Sequence, residues 1–305
     1  MSVRYAVLCV TPLAFVTAGC DPPALTPTGV RAVFGTQGLG PGAFVYPRAI
    51  AVGPDRGIYV VDKSARVQRF SPEGEFETLW NMPQRKAGKP VGIWVGPDGR
   101  VYVADTHYSR VIVYDRDGRE LARFGQPGTG DGEFMLPTDV VVDADGFIYV
   151  SEYNGNDRIT RWSPDYKFVS VVVAGKVAGQ ALARPAAMDI DAEQTLWVVD
   201  ACNHRILRLD CSGRLLACFG EMGEGAGQMR YPYDISVTPQ GTIMVCEYGN
   251  SRLQWFAMDG TPLGTWGSRG RKLGQLWAPW GAAVGSDGNI CIVDSLNSRI
   301  QIVRP

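Results

Sequence analysis

The chain has 305 residues, with 30 basic and 31 acidic side chains and a formal net charge of −1. That balance gives no broad attraction to nucleic acid or to an anionic membrane surface. At 45% hydrophobic and 20% charged residues it can bury a full core, and its 37 glycines and 20 prolines suit many tight turns between short strands.

Residues 1–20 differ from the rest. A single arginine in MSVRY precedes the apolar run AVLCVTPLAFV, too short for a permanent membrane span, and small residues then lead to Cys20 in VTAGC. This predicts an export signal. VTAGC resembles the lipobox of bacterial lipoproteins, which implies a lipidated Cys20, a cell-envelope or periplasmic location, and membrane association only through that anchor. Thr17 departs from the leucine usual in that motif, and Val16-Thr17-Ala18 also fits an ordinary cleavage site, so both readings stay open. The Pro-rich residues 21–28 read as a linker. Cys202, Cys211, Cys218, Cys246 and Cys291 are odd in number and irregularly spaced, so no disulfide framework or C-x-x-C zinc pair is expected.

From residue 29 onward the chain repeats. Segments such as VVDKSARVQRF (60–70), VVDACNHRILRL (198–209) and IVDSLNSRIQIV (292–303) place an acid at 62, 105, 152, 200, 247 and 294, a spacing of 43 and then 47 or 48. An arginine follows at 66, 110, 158, 205, 252 and 299, and prolines 47, 90, 137, 185, 232 and 279 keep the same period. Each unit reads as four short strands joined by turns such as GPDG and DADG. Four strands per ~45 residues describe propeller blades, whose sheets bury both faces only against neighbours. The sixth unit stops after its third strand, and VRAVFG (30–35) matches the missing fourth, so the ring is expected to close through the N-terminal strand.

The recurring "P-x-G/D-I-x-V … DG-x-I/V-Y-V-x-D … N-x-R-I" resembles the NHL-repeat β-propellers of the bacterial exported type. The resemblance implies an all-β, six-bladed propeller over residues 29–305. It says little about function.

An acid and an arginine present in every blade cannot be one active site. The pair is expected to brace the loop between strands two and three through a forked ion pair, with loop Gly and Asn supplying left-handed conformations. Function belongs to what differs between blades, on the end of the ring where the proline loops and strand-two loops emerge.

Blades three and five carry Glu152 and Glu247 where other blades have Asp, and Asp139 and Asp234 two residues after the proline. Pairing through the DADG and TPQG turns sets Asp139 opposite Val150 and Asp234 opposite Val245. Each Asp then lies about 7–8 Å from its Glu on one face. Two carboxylates beside one arginine, Arg158 or Arg252, would leave charge for a cation, a proton or a ligand, although an arginine bridging both is the plainer reading. Asp189 adds an acid nearby.

Tyr46, Tyr231, Tyr233, Trp277 and Trp280 flank the prolines and suit a sugar, a peptide or a protein partner. Arg48, Lys89, Arg184 and Arg230 also lie beside the prolines and could bind anionic groups, although solvated surface charge is the favoured reading for them. His107 and His204 sit in loops of blades two and four, too few for a three-ligand zinc site, and His204 with Cys202 is placed to touch a ligand. Asp139 and Asp234 are the candidate metal ligands, because lactonase-like relatives of this fold hold calcium with carboxylates and amides. No Gly-rich phosphate loop or G-x-S-x-G elbow occurs.

The leading expectation is an exported, lipid-anchored, non-enzymatic propeller that binds a protein, peptide or glycan at its upper face, with no cofactor assigned. The alternative is a lactonase- or lyase-like hydrolase using channel carboxylates and a divalent cation such as calcium. RNA binding is a weaker third reading, and no nucleic-acid partner is expected.

Overall fold

The computed structural model describes residues 29–304; the expected export signal, Cys20 and the linker lie outside the described residues. Six four-stranded antiparallel sheets form the six blades of a closed ring. Their innermost strands are Pro47–Val52, Gly92–Val95, Leu136–Val142, Pro185–Ile190, Pro232–Val237 and Ala282–Val284. The ring closes as the sequence implied: Gly29–Phe34 pairs antiparallel with Arg299–Arg304 and supplies the outer strand of blade six.

Second strands such as Ile58–Asp62 and Leu196–Asp200 are buried at every position, whereas outer strands such as Leu215–Phe219 stay partly exposed. A continuous apolar run makes sense only where both faces of a sheet are covered. Six separate apolar clusters provide that cover, one at each junction between blades. Tyr59 and Val61 of blade one meet Val103 and Ile112 of blade two, and Ile58 and Phe70 of blade one meet Val293 and Ile300 of blade six. No blade has a core of its own, so the ring is the folding unit.

The repeated acid and arginine brace one loop per blade. The six pairs are Asp62–Arg66 (2.6 Å), Asp105–Arg110 (2.8 Å), Glu152–Arg158 (2.5 Å), Asp200–Arg205 (2.7 Å), Glu247–Arg252 (2.7 Å) and Asp294–Arg299 (2.7 Å). The expected fork is absent in blades three to six, where Nε alone meets the carboxylate and Nη2 turns to carbonyls of the loop entering the blade. Arg158 donates to Gly130 and Glu133, Arg205 to Val177, and Arg299 to Lys272 and Gln275. The carboxylate also accepts an amide of that loop, from Met135 on Glu152 and Ala183 on Asp200. Each brace therefore ties two loops together.

Blade two is incomplete. Its entering loop has a different sequence, MPQRKAGKP; Arg110 Nε and Nη2 both lie 2.8 Å from Asp105 Oδ2 with no loop carbonyl bonded, and buried Asp105 Oδ1 has no hydrogen-bond partner. In blade three the left-handed loop residues are the expected Asn and Gly, Asn154 and Gly155, but in the other five blades the residue before the arginine is Ala65, Ser109, His204, Ser251 or Ser298. The loop asparagines do other work: Asn203 and Asn297 donate from their side chains to Asp200 and Asp294.

Candidate functional site

The inner strands line a central channel, and two adjoining cavities of about 190 and 170 Å³ occupy its mouth and its interior. Arg48, Val91, Ala186, Tyr233 and Trp280 border both, so the two form one passage.

Every blade sends a side chain to the mouth: Arg48, Lys89, Tyr153, Arg184, Tyr233 and Trp280, in blade order, with His107 beside Lys89. The proline loops place them. Tyr46 and Arg184 immediately precede their prolines with φ of 52° and 59°, a left-handed backbone that is costly for non-glycine residues and more so ahead of proline. Trp280 is the hub of an aromatic group, with ring centres 4.9 Å from Tyr233, 5.6 Å from Tyr248 and 5.8 Å from Tyr46. The two guanidiniums lie on these rings. Arg48 sits 4.7 Å above Trp280, and Arg184 sits 4.6 Å from Tyr233 and 5.1 Å from Tyr153.

Arg48 and Arg184 differ from the brace arginines in having no carboxylate. Among the described residues neither they nor Lys89 form an ion pair. Burial pulls the Arg48 guanidinium below its ordinary range, and the like charge of Arg184 adds to this. Burial also lowers His107, helped by Lys89 and Arg48. The mouth is cationic and half-dry.

The channel interior is acidic. Asp139, Asp189 and Asp234 line it, and each carboxylate accepts an amide from the inner strand of the next blade: Met188 (2.8 Å), Val237 (2.7 Å) and Ala282 (2.9 Å). These bonds stitch blade three to four, four to five and five to six. Burial pushes Asp189 up to about 6 and Asp234 up to about 7; Asp139 is also raised well above the carboxylate range, by burial and then by Asp234. Room for two of these side chains comes from neighbouring glycines. A Cβ on Gly92 would come within 2.7 Å of Asp139 Cα, and one on Gly281 within 2.8 Å of Asp234 Oδ2. The sequence contrast of Asp in blades three and five with Gly in blades two and six is thus a packing complement.

The expected pairing of Asp139 with Glu152 and of Asp234 with Glu247 is corrected by the register. Asp139 stands opposite Ser151 and Asp234 opposite Cys246, one position from the expected Val150 and Val245. The turn takes one more residue than DADG suggests, since the Asp143 amide donates to the Phe147 carbonyl, and a bulge after Pro137 restores the alignment. A one-residue slip moves a side chain to the other face. Glu152 and Glu247 therefore belong to the braces with Arg158 and Arg252, while Asp139 and Asp234 face the channel. His204 is also not at the mouth: it is 8% exposed, and its Nδ1 accepts the Tyr231 amide at 3.1 Å.

The donor set does not suit calcium, which takes six to eight oxygens. Among the described residues no three His, Cys, Asp or Glu side chains are grouped to hold a metal. One oxygen each of Asp139, Asp189 and Asp234 is already engaged with a neighbouring blade, below a cationic mouth.

Fold and site together define a six-bladed propeller with a lined channel mouth. The family described as the SMP-30/Gluconolactonase/LRE-like region matches residues 49–269, and the NHL repeat matches residues 276–303. The chain belongs to the SMP-30/gluconolactonase-like family, with an NHL-type last blade. Protein brain tumor of Drosophila melanogaster is 29% identical over 133 residues, 43% of this chain and 12% of its own length. Peptidylglycine alpha-amidating monooxygenase of Rattus norvegicus is 36% identical over 87 residues, 27% of this chain and 9% of its own. The chain thus spans only a small part of these relatives. A gluconolactonase from Xanthomonas campestris superposes with TM-score 0.65 at 15% identity, covering 86% of this chain and 87% of the other. Virginiamycin B lyase from Staphylococcus aureus gives 0.58 at 15% identity, covering 85% and 80%. At such identity these structures share the fold.

For Arg48, Lys89 and Arg184 the sequence favours solvated charge over anion binding, whereas the structure gathers all three at one cavity. The signal was present: aligned on the blade prolines, the flanking positions carry Tyr46 and Arg48, Lys89, Arg184, Tyr233 and Trp280 in five of the six blades, blade three having Leu136 and Thr138 instead.

Proposed function

We propose that this protein is a ligand-binding propeller whose site is the mouth of the central channel. The observation supporting this is that all six blades contribute a side chain to one cavity, three of them cationic and three aromatic. A surface made only to be soluble has no reason to converge in this way, and concave sites with a few placed polar groups are where small ligands bind. Calorimetric titration with D-glucose, D-gluconate, benzoate and benzamide tests it. Binding that is lost in Trp280→Leu is expected; equal binding by that variant would place the site elsewhere.

A second reading, a lactonase-like hydrolase, is favoured by the family match over residues 49–269 and by the channel-lining Asp234, whose pKa, raised by desolvation to about 7, suits proton transfer. Base uptake at constant pH with D-glucono-1,5-lactone decides between them. Turnover abolished by Asp234→Asn supports the hydrolase; a rate equal to buffer, with or without calcium, leaves binding alone. Export and lipid attachment at Cys20 belong to the same proposal, and loss of a metabolic lipid label in Cys20→Ser is the expected outcome.

A further inference from the structure

We infer that the mouth recognises an organic oxyanion, a small carboxylate or phosphate monoester carrying one ring, with its charged head held between Arg48 and Arg184. This rests on the mouth being the ligand site and specifies what enters it.

Three independent features of the geometry agree. The first is unmatched charge: Arg48, Lys89 and Arg184 enclose one cavity of about 190 Å³ with no carboxylate against any of their head groups among the described residues. The acids nearby are committed elsewhere. Asp157 accepts the Arg184 backbone amide and not its guanidinium, and the channel aspartates accept amides of the next blades. The second is unmet hydrogen bonding: Nε of Arg48 and Nε of Arg184 are both buried without a partner. A buried donor on a charged group left unpaired is costly, and an oxyanion supplies the missing acceptors.

The third is preorganisation. Arg184 donates to the Tyr233 hydroxyl at 3.0 Å and lies on the rings of Tyr153 and Tyr233, and Arg48 lies on Trp280. The rings hold two like charges near each other in a half-buried wall, so little side-chain freedom is lost when a ligand arrives. The cavity of about 190 Å³, bordered by Tyr153, Tyr233 and Trp280, sets the one-ring size of the ligand body.

The test uses matched probes on the folded chain. Benzoate, phenyl phosphate, inorganic phosphate and the neutral isostere benzamide are titrated calorimetrically, at low and at high salt. Benzoate or phenyl phosphate is expected to bind roughly tenfold or more tightly than benzamide, and more weakly at high salt. Which of the two leads tells a carboxylate from a phosphate ligand, and inorganic phosphate reports how much the ring adds. Arg48→Gln and Arg184→Gln should each lose roughly tenfold to a hundredfold of anion affinity while benzamide binding changes little. Lys89→Gln, in a surface loop, provides a variant that keeps the fold and is expected to lose less. Benzamide equal to the anions would overturn the oxyanion assignment and leave the mouth as a ligand site. Anion binding unchanged in both arginine variants would overturn it as well. No binding by any probe would remove both readings.

Discussion

Two sets of arginines in one ring show how context sets the task of a side chain. The brace arginines, Arg66, Arg110, Arg158, Arg205, Arg252 and Arg299, recur once per blade, each against an acid at the end of strand two. Arg48 and Arg184 occur in two blades only, against aromatic rings and no acid. Removing a brace leaves a buried carboxylate uncompensated and frees loop carbonyls. Removing a mouth arginine relieves repulsion and leaves the rings. The first set holds the loops and the second is free for a ligand.

That contrast is broken most strongly at a complete brace. Arg205→Ala should cost about 3–5 kcal/mol, because Asp200 would stay buried without its partner and the Val177 carbonyl would lose its donor. The midpoint of urea unfolding measures this. Arg110→Ala, in the brace that bonds no loop carbonyl, should cost clearly less, and equal losses would show that the loop bonds are unimportant. Next in size is Gly92→Ala, expected to cost about 1–3 kcal/mol by forcing blade two away from Asp139 and the Thr138 carbonyl. A wild-type melting temperature in this variant would refute the packing complement.

A third effect is on pH dependence. Asp189 and Asp234, raised to about 6 and about 7, keep their protons in the folded ring at pH values where the unfolded chain has lost them. Their contribution to stability is full below the unfolded pKa near ~4 and is lost as pH rises through the folded values. Wild type should therefore lose stability relative to Asp234→Asn as pH rises from about 4 to about 7, by up to about 1.4 kcal/mol per pH unit between the two pKa values, and level off above. Parallel melting curves against pH would contradict the assignment. The smallest effect is at the mouth, where Arg184→Gln should shift stability by less than about 1 kcal/mol in either direction.

The sequence already carried the ring, its six blades, the closing strand and the braces, because each is written six times or as the partner of something repeated. Single events were harder. One extra residue in the turn after Val142, met by a compensating bulge beside Pro137, was enough to send Asp139 to the channel and Glu152 to the brace. Turn length is set by local hydrogen bonds that the DADG tetrapeptide does not specify. The channel aspartates were found, but their contacts lie with residues 48 or 49 positions further on, between strands that no pairing within a blade connects. The mouth was hidden for a related reason. Arg48, Lys89 and Arg184 are unremarkable singly, and blades one, two and four bring them to one site only when all six blades close into a ring.

The most direct measurement is diffraction from crystals soaked in 4-iodobenzoate, with the anomalous signal locating the iodine. The account predicts a ligand in the mouth with its carboxylate between Arg48 and Arg184 and its ring against Trp280 or Tyr233, absent in the Arg48→Gln, Arg184→Gln double variant. Iodine found only on the outer rim, or unmoved in the mouth of the double variant, would contradict it.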